Sequence, residues 1–129
     1  MGSFLGAAHA LEARLEEGLA SVGLSRAKYG VLETLVRAGA PLALSELAAA
    51  QQCVRSNMTQ LVDRLQADGS VQRVDDPNDR RSVRAVLTPL GKERQVEGAK
   101  KIAQVRDEFS ASLGPADRAV LSRLLESLG

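Results

Sequence analysis

Between positions 55 and 64 the side chains of Arg55, Asn57, Thr59, Gln60 and Arg64 lie largely on one side of a helical wheel, with Met58, Leu61, Val62 and Leu65 on the other. Guanidinium, carboxamide and hydroxyl groups in such a row can reach base edges and phosphate oxygens of a nucleic acid. Ser56 within the row and Ser45 shortly before it extend the candidate set. A second basic group follows, with Arg73, Arg80 and Arg81 close in sequence to Asp79. Asp79 is expected to orient Arg81 or Arg73 through an ion pair, because a carboxylate would not itself face phosphate. Taken alone, a polar helix face is usually just solvated, so the surrounding elements must decide.

Other chemistries lack their residues. His9 is the single histidine and Cys53 the single cysteine, so neither a multi-imidazole metal site nor a nucleophile, base and orienting residue can be assembled. No glycine-rich phosphate loop is present, and the acidic residues fall where solvated helix faces are expected, so neither catalytic residues nor cofactor are anticipated. Cys53 precedes a helix, where a thiol can become acidic and oxidisable; the plainer reading is a small buried apolar residue.

A chain of 129 residues is expected to form one domain spanning 1–129. Its 44% hydrophobic and 26% charged residues fit a soluble globular protein, and only 2% are aromatic, so Leu, Val and Ala must build the core. That composition favours helices. There is no apolar run of membrane-spanning length, no signal-peptide order, and Gly6 stands where an acylation signal needs Ser or Thr. A cytoplasmic protein without membrane contact is therefore expected. The net charge of +1 does not discriminate, since local basic patches can hide in a neutral total.

The periodicity predicts a helix from Phe4 to about Val22, with Leu11, Leu15 and Leu19 on its apolar side. Ser25 caps a second helix whose inner face is Tyr29, Leu32, Leu35 and Val36, ended by Gly39-Ala40-Pro41. After a short extended piece at 42–44, Ser45 is expected to cap a helix over Glu46 to Ala50, and the polar-faced helix runs from Arg55 to Ala67. Alternation then marks two strands, Val71 to Asp75 and Val83 to Leu87, joined by a polar turn over 76–82. Thr88-Pro89 opens a long helix reaching about Leu113, and a leucine-rich helix over 116–128 closes the chain. Short helix, turn, polar-faced helix and basic hairpin together form a winged helix-turn-helix, a mainly α fold with a two-stranded β wing. Its DNA-binding head would be 25–92.

In order and spacing the chain resembles the MarR family of transcriptional regulators. The resemblance rests on Tyr29-Gly30-Val31-Leu32, Leu44-Ser45-Glu46-Leu47-Ala48, the stretch from Arg55 to Leu65, Asp68-Gly69, Asp76-Pro77-Asn78-Asp79-Arg80-Arg81-Ser82 and Leu87-Thr88-Pro89-Leu90-Gly91. It implies a homodimer whose helices at 1–24 and 93–129 interlock, with Phe4, Leu5, Phe109, Leu121, Leu124, Leu125 and Leu128 as dimerisation residues. It also implies double-stranded operator DNA as partner, a ligand-responsive repressor role, and a small aromatic or phenolic effector near Leu11, Leu15, Tyr29 and Leu32. The family often has a small polar residue just before the recognition helix; here Val54 stands there, so that helix must be capped otherwise, or by Ser56. The competing reading of the same segments is a winged-helix module that binds proteins instead of DNA.

Overall fold

The computed structural model describes residues 2–111 together with Arg123 and Glu126, the side chains of 2–5, 7 and 79–81 excepted. Among the described residues five helices and three strands follow in the order α1 (Gly2–Ala20), α2 (Arg26–Ala38), β1 (Leu42–Ala43), α3 (Leu44–Ala50), α4 (Arg55–Ala67), β2 (Val71–Asp76), β3 (Asp79–Leu87) and α5 (Pro89–Ala111). Leu121, Leu124, Leu125 and Leu128, expected from the resemblance to serve dimerisation, lie outside the described residues, as do the side chains of Phe4 and Leu5.

Local chemistry fixes the ends of these elements. Ser25 Oγ accepts the Lys28 amide at 3.1 Å to start α2, and Gly39, at φ 62, closes it by donating its amide to Leu35. Thr88 Oγ1 accepts the Gly91 amide at 3.0 Å and so caps α5 as its sequence anticipates. Ser45 is not the cap of α3. Ala43 takes that position without a side-chain acceptor, and Glu46 Oε1 reaches back to the Ala43 amide at 3.1 Å, which leaves Ser45 exposed inside the first turn.

The expected seven-residue polar turn is also shorter than its composition suggested. Both strands run on to the tip, pairing Asp76 with Asp79 across Pro77-Asn78, with an irregularity between Asp75 and Asp76. Arg80 and Arg81 therefore belong to β3. The short extended piece at 42–43 joins the sheet: Leu42 pairs with Ala85 and Ala43 with Arg84, giving three antiparallel strands in the order β1-β3-β2.

One core fills the head. Val31, Leu32, Leu47, Met58, Val62, Leu65 and Ala85 are fully buried there, with Leu19 reaching in from the end of α1 and Leu24 from the connection to α2. A second cluster joins α1 to α5 through Leu11, Leu15 and Phe109, flanked by Ile102 and Val105. Phe109 is thus buried within its own chain and has Arg14 stacked over its ring at 5.6 Å.

The head is fastened to α5 at one crowded joint. Ser70 is fully buried; Arg94 donates to its hydroxyl at 3.0 Å and to the Asp68 carbonyl at 3.3 Å, while Thr88 Oγ1 donates to the Gly69 carbonyl at 2.6 Å. A Cβ on Gly91 would sit 2.0 Å from the Ser70 oxygen, so only glycine permits this approach.

Candidate nucleic-acid interface

Burial of Met58, Val62 and Leu65 orients α4. Each is fully buried, and removing three such side chains from water contributes several kcal/mol at roughly 1.5–3 kcal/mol apiece. The opposite side is forced outward: Arg55, Ser56, Asn57, Gln60 and Arg64 are all exposed. Thr59 is half-buried, and its hydroxyl donates to the Arg55 carbonyl at 3.0 Å, which leaves it only as an acceptor. The helix starts at Val54 with no side-chain hydrogen bond to its first amides, so neither an alternative cap nor Ser56 serves there.

The turn before α4 is held by backbone bonds. Gln52 and Cys53 donate their amides to Ala49 and Ala48 at 3.2 and 2.9 Å, and Gln52 adopts φ 53, the one non-glycine positive φ among the described residues. Cys53 is half-buried against the head core and its thiol donates to the Val54 carbonyl at 3.2 Å, in keeping with a packing role.

Ion pairs tie the wing to α4 and α3. Arg73 on β2 pairs with Asp63 on α4. The expected ion pair of Asp79 with Arg81 or Arg73 lies outside the described side chains, which leave out those of Asp79, Arg80 and Arg81. Arg84 Nε donates to Asp76 Oδ2 at 3.3 Å, and its guanidinium lies 3.7 Å from Glu46, so one residue links wing tip, sheet and the start of α3. The Asn78 amide, followed by Arg84, holds the Asp76 carboxyl below the ordinary carboxylate range. Asp63 and Arg84 escaped notice in the sequence because their partners are set by fold and register. Glu46, three residues after Ala43, did carry a readable signal, since that is the spacing of a capping box.

A cleft of about 940 Å³ opens between α1, α2, the end of α3 and α5, lined among others by Leu15, Leu19, Arg26, Tyr29, Thr34, Arg37, Gln51, Ile102 and Arg106. Of the effector residues expected from sequence, Leu15 and Tyr29 line it, whereas Leu11 and Leu32 are buried elsewhere. Burial, and then the nearby Glu33 carboxylate, push the Tyr29 phenol above its ordinary value. Gln51 closes the floor by donating to Thr34 Oγ1 at 2.8 Å and to the Gly30 carbonyl at 3.2 Å. Its amide oxygen lies 2.3 Å from where a Cβ of Gly30 would be, so the small residue makes room for this tether between α2 and α3.

Among the described residues no group of His, Cys, Asp and Glu could hold a metal, and no helix is long and apolar enough to cross a membrane.

A buried-backed polar helix beside a three-stranded sheet with a protruding hairpin defines a winged helix-turn-helix. The model of the MarR family matches residues 22–82. AbsC, a MarR family transcriptional regulator of Streptomyces coelicolor, is 30% identical and superposes with a TM-score of 0.77 over 98% of this chain and 86% of its own. A further MarR family regulator of that organism, solved in complex with DNA, is 29% identical with a TM-score of 0.77 over 98% and 81%. The transcriptional regulator PrsX of Escherichia coli is 34% identical over 82 residues, 63% of this chain and 49% of PrsX. The chain spans between about half and just under two thirds of the curated relatives it matches. It belongs to the MarR family, a family of transcriptional regulators and not of enzymes.

Proposed function

We propose that this chain is a ligand-responsive repressor that binds double-stranded operator DNA as a homodimer in the cytoplasm. The observation that carries the reading is the exposed row Arg55, Ser56, Asn57, Gln60 and Arg64, backed by fully buried Met58, Val62 and Leu65 and braced against the wing through Asp63 and Arg73. Such a helix can lie in the major groove with its leading residues on base edges, while Arg80 and Arg81 on the hairpin meet the backbone or the minor groove. The DNA-bound relative supports this placement. The protein-interaction alternative leaves the concentration of base-reading side chain types on one exposed face without a purpose.

The dimer would be built from α1, α5 and the leucine-rich C-terminal segment, which supplies a second head for a pseudo-palindromic site. The cleft beside Tyr29 is where an effector would act: it offers apolar Leu15, Leu19 and Ile102 together with the guanidinium groups of Arg26, Arg37 and Arg106. An effector that prefers one disposition of the head over another shifts the population away from the DNA-binding form.

Enrichment of a randomised duplex library by the wild-type protein, followed by anisotropy titration across salt concentrations, tests the central part. One recurring half-palindromic sequence with affinity falling steeply as salt rises is expected. The absence of any enriched sequence would overturn the reading.

A further inference from the structure

We propose that Val54 is a specificity residue that reads the C5-methyl group of a thymine in each half-site. This rests on the operator reading above and deepens it. Among the described residues the large apolar side chains left exposed are Val54 at 61%, Val96 at 46%, Leu90 at 40% and Val74 at 38%. Val54 is the most exposed, and it alone adjoins the row of exposed polar residues on α4; Val74 lies on β2, and Leu90 and Val96 lie on α5.

Its backbone, φ −72 and ψ 150, makes it the residue that precedes the first turn of α4, a position where Ser, Thr, Asp or Asn would hydrogen-bond the free amides. Val54 makes no such bond, and with most of its surface in solvent it adds little to the core. The side chain therefore serves neither helix nor packing. It stands directly before exposed Arg55, Ser56 and Asn57, at the end of a recognition helix that meets base edges. The major groove is lined by hydrogen-bonding groups except at the thymine methyl, which is the surface an apolar side chain among polar neighbours can match.

The test uses duplexes enriched from a randomised library, resynthesised with deoxyuridine at one thymine at a time, which removes the methyl alone. At one position in each half-site uracil is expected to weaken wild-type binding about fourfold, the worth of one buried methyl-sized group. Val54→Ala is expected to bind the thymine and uracil duplexes equally, near the wild-type affinity for uracil. Val54→Thr, which keeps the branched shape, guards against a folding effect and is expected to retain part of the difference. The proposal is overturned if no single uracil weakens the wild type, or if Val54→Ala suffers the same uracil penalty as the wild type. A library that enriches no sequence defeats the operator reading itself, an outcome distinct from a bound operator that ignores the methyl.

Discussion

Asn57 and Arg64 occupy the same exposed side of α4, yet their loss should be felt differently. Asn57→Ala is expected to cost about 1–3 kcal/mol on the best duplex and to relax discrimination at one base pair, as removal of a base contact does. Arg64→Ala should weaken all duplexes alike and lower the slope of log affinity against log salt by about one, as removal of a phosphate contact does. Anisotropy titrations of matched and singly mismatched duplexes separate the two patterns. At the wing, Asp76 titrates below the ordinary carboxylate range because its charged form is bonded by the Asn78 amide and Arg84. Its contribution to stability is present above that ordinary range and is lost as pH falls through the depressed value. Carboxyl chemical shifts followed through an acid titration should show Asp76 protonating at lower pH in the wild type than in Arg84→Ala. The polar face was readable from sequence because a 3.6-residue period sorts side chains before any partner is known. The pairing of Arg73 with Asp63 was not readable, because it depends on how β2 crosses α4.

Elements were legible where local chemistry sets them and misread where tertiary pairing does. Ser25, Gly39 and Thr88 mark helix ends by bonds within a few residues, and each does so in the structure. Ser45 looked like a cap by residue type, but Glu46 bonds the Ala43 amide and starts α3 earlier. Polar composition at 76–82 suggested a long turn. Strand pairing instead carries β2 and β3 to a two-residue tip, and β1 adds to them because β3 has a free edge. Two substitutions test the element packing. Gly91→Ala puts a methyl 2.0 Å from the Ser70 carbonyl oxygen and should destabilise the chain by about 2–3 kcal/mol in urea unfolding. Gln51→Ala removes the tether from α3 to Thr34 and Gly30 and should lose about 1 kcal/mol, since the groups it leaves can be reached by water from the cleft.

At the scale of the molecule, the sequence carried the winged helix-turn-helix through the order of its elements, and membership of the MarR family follows from the same order. The division of apolar surface between core and partner was less legible. A buried aromatic and an interfacial one have the same periodicity, and Phe109 proved to pack on Leu11 and Leu15 of its own chain. Dimerisation as proposed here leans on the C-terminal leucines, so a Leu121→Ser, Leu125→Ser double variant should sediment as a monomer. It should also lose at least a hundredfold in operator affinity, because a single head forfeits the effective concentration that linkage to the second provides.

The central claim is that α4 enters the major groove while the hairpin holds the flanking backbone, once in each of two linked heads. Hydroxyl-radical footprinting of the wild-type protein on its enriched duplex examines that geometry directly. Two protected windows related by a dyad are expected, with centres about one helical turn, roughly 34 Å, apart, and with loss of the outer edge of each window in Arg80→Ala, Arg81→Ala. A single unpaired window, or protection that ignores the helical repeat, would contradict it.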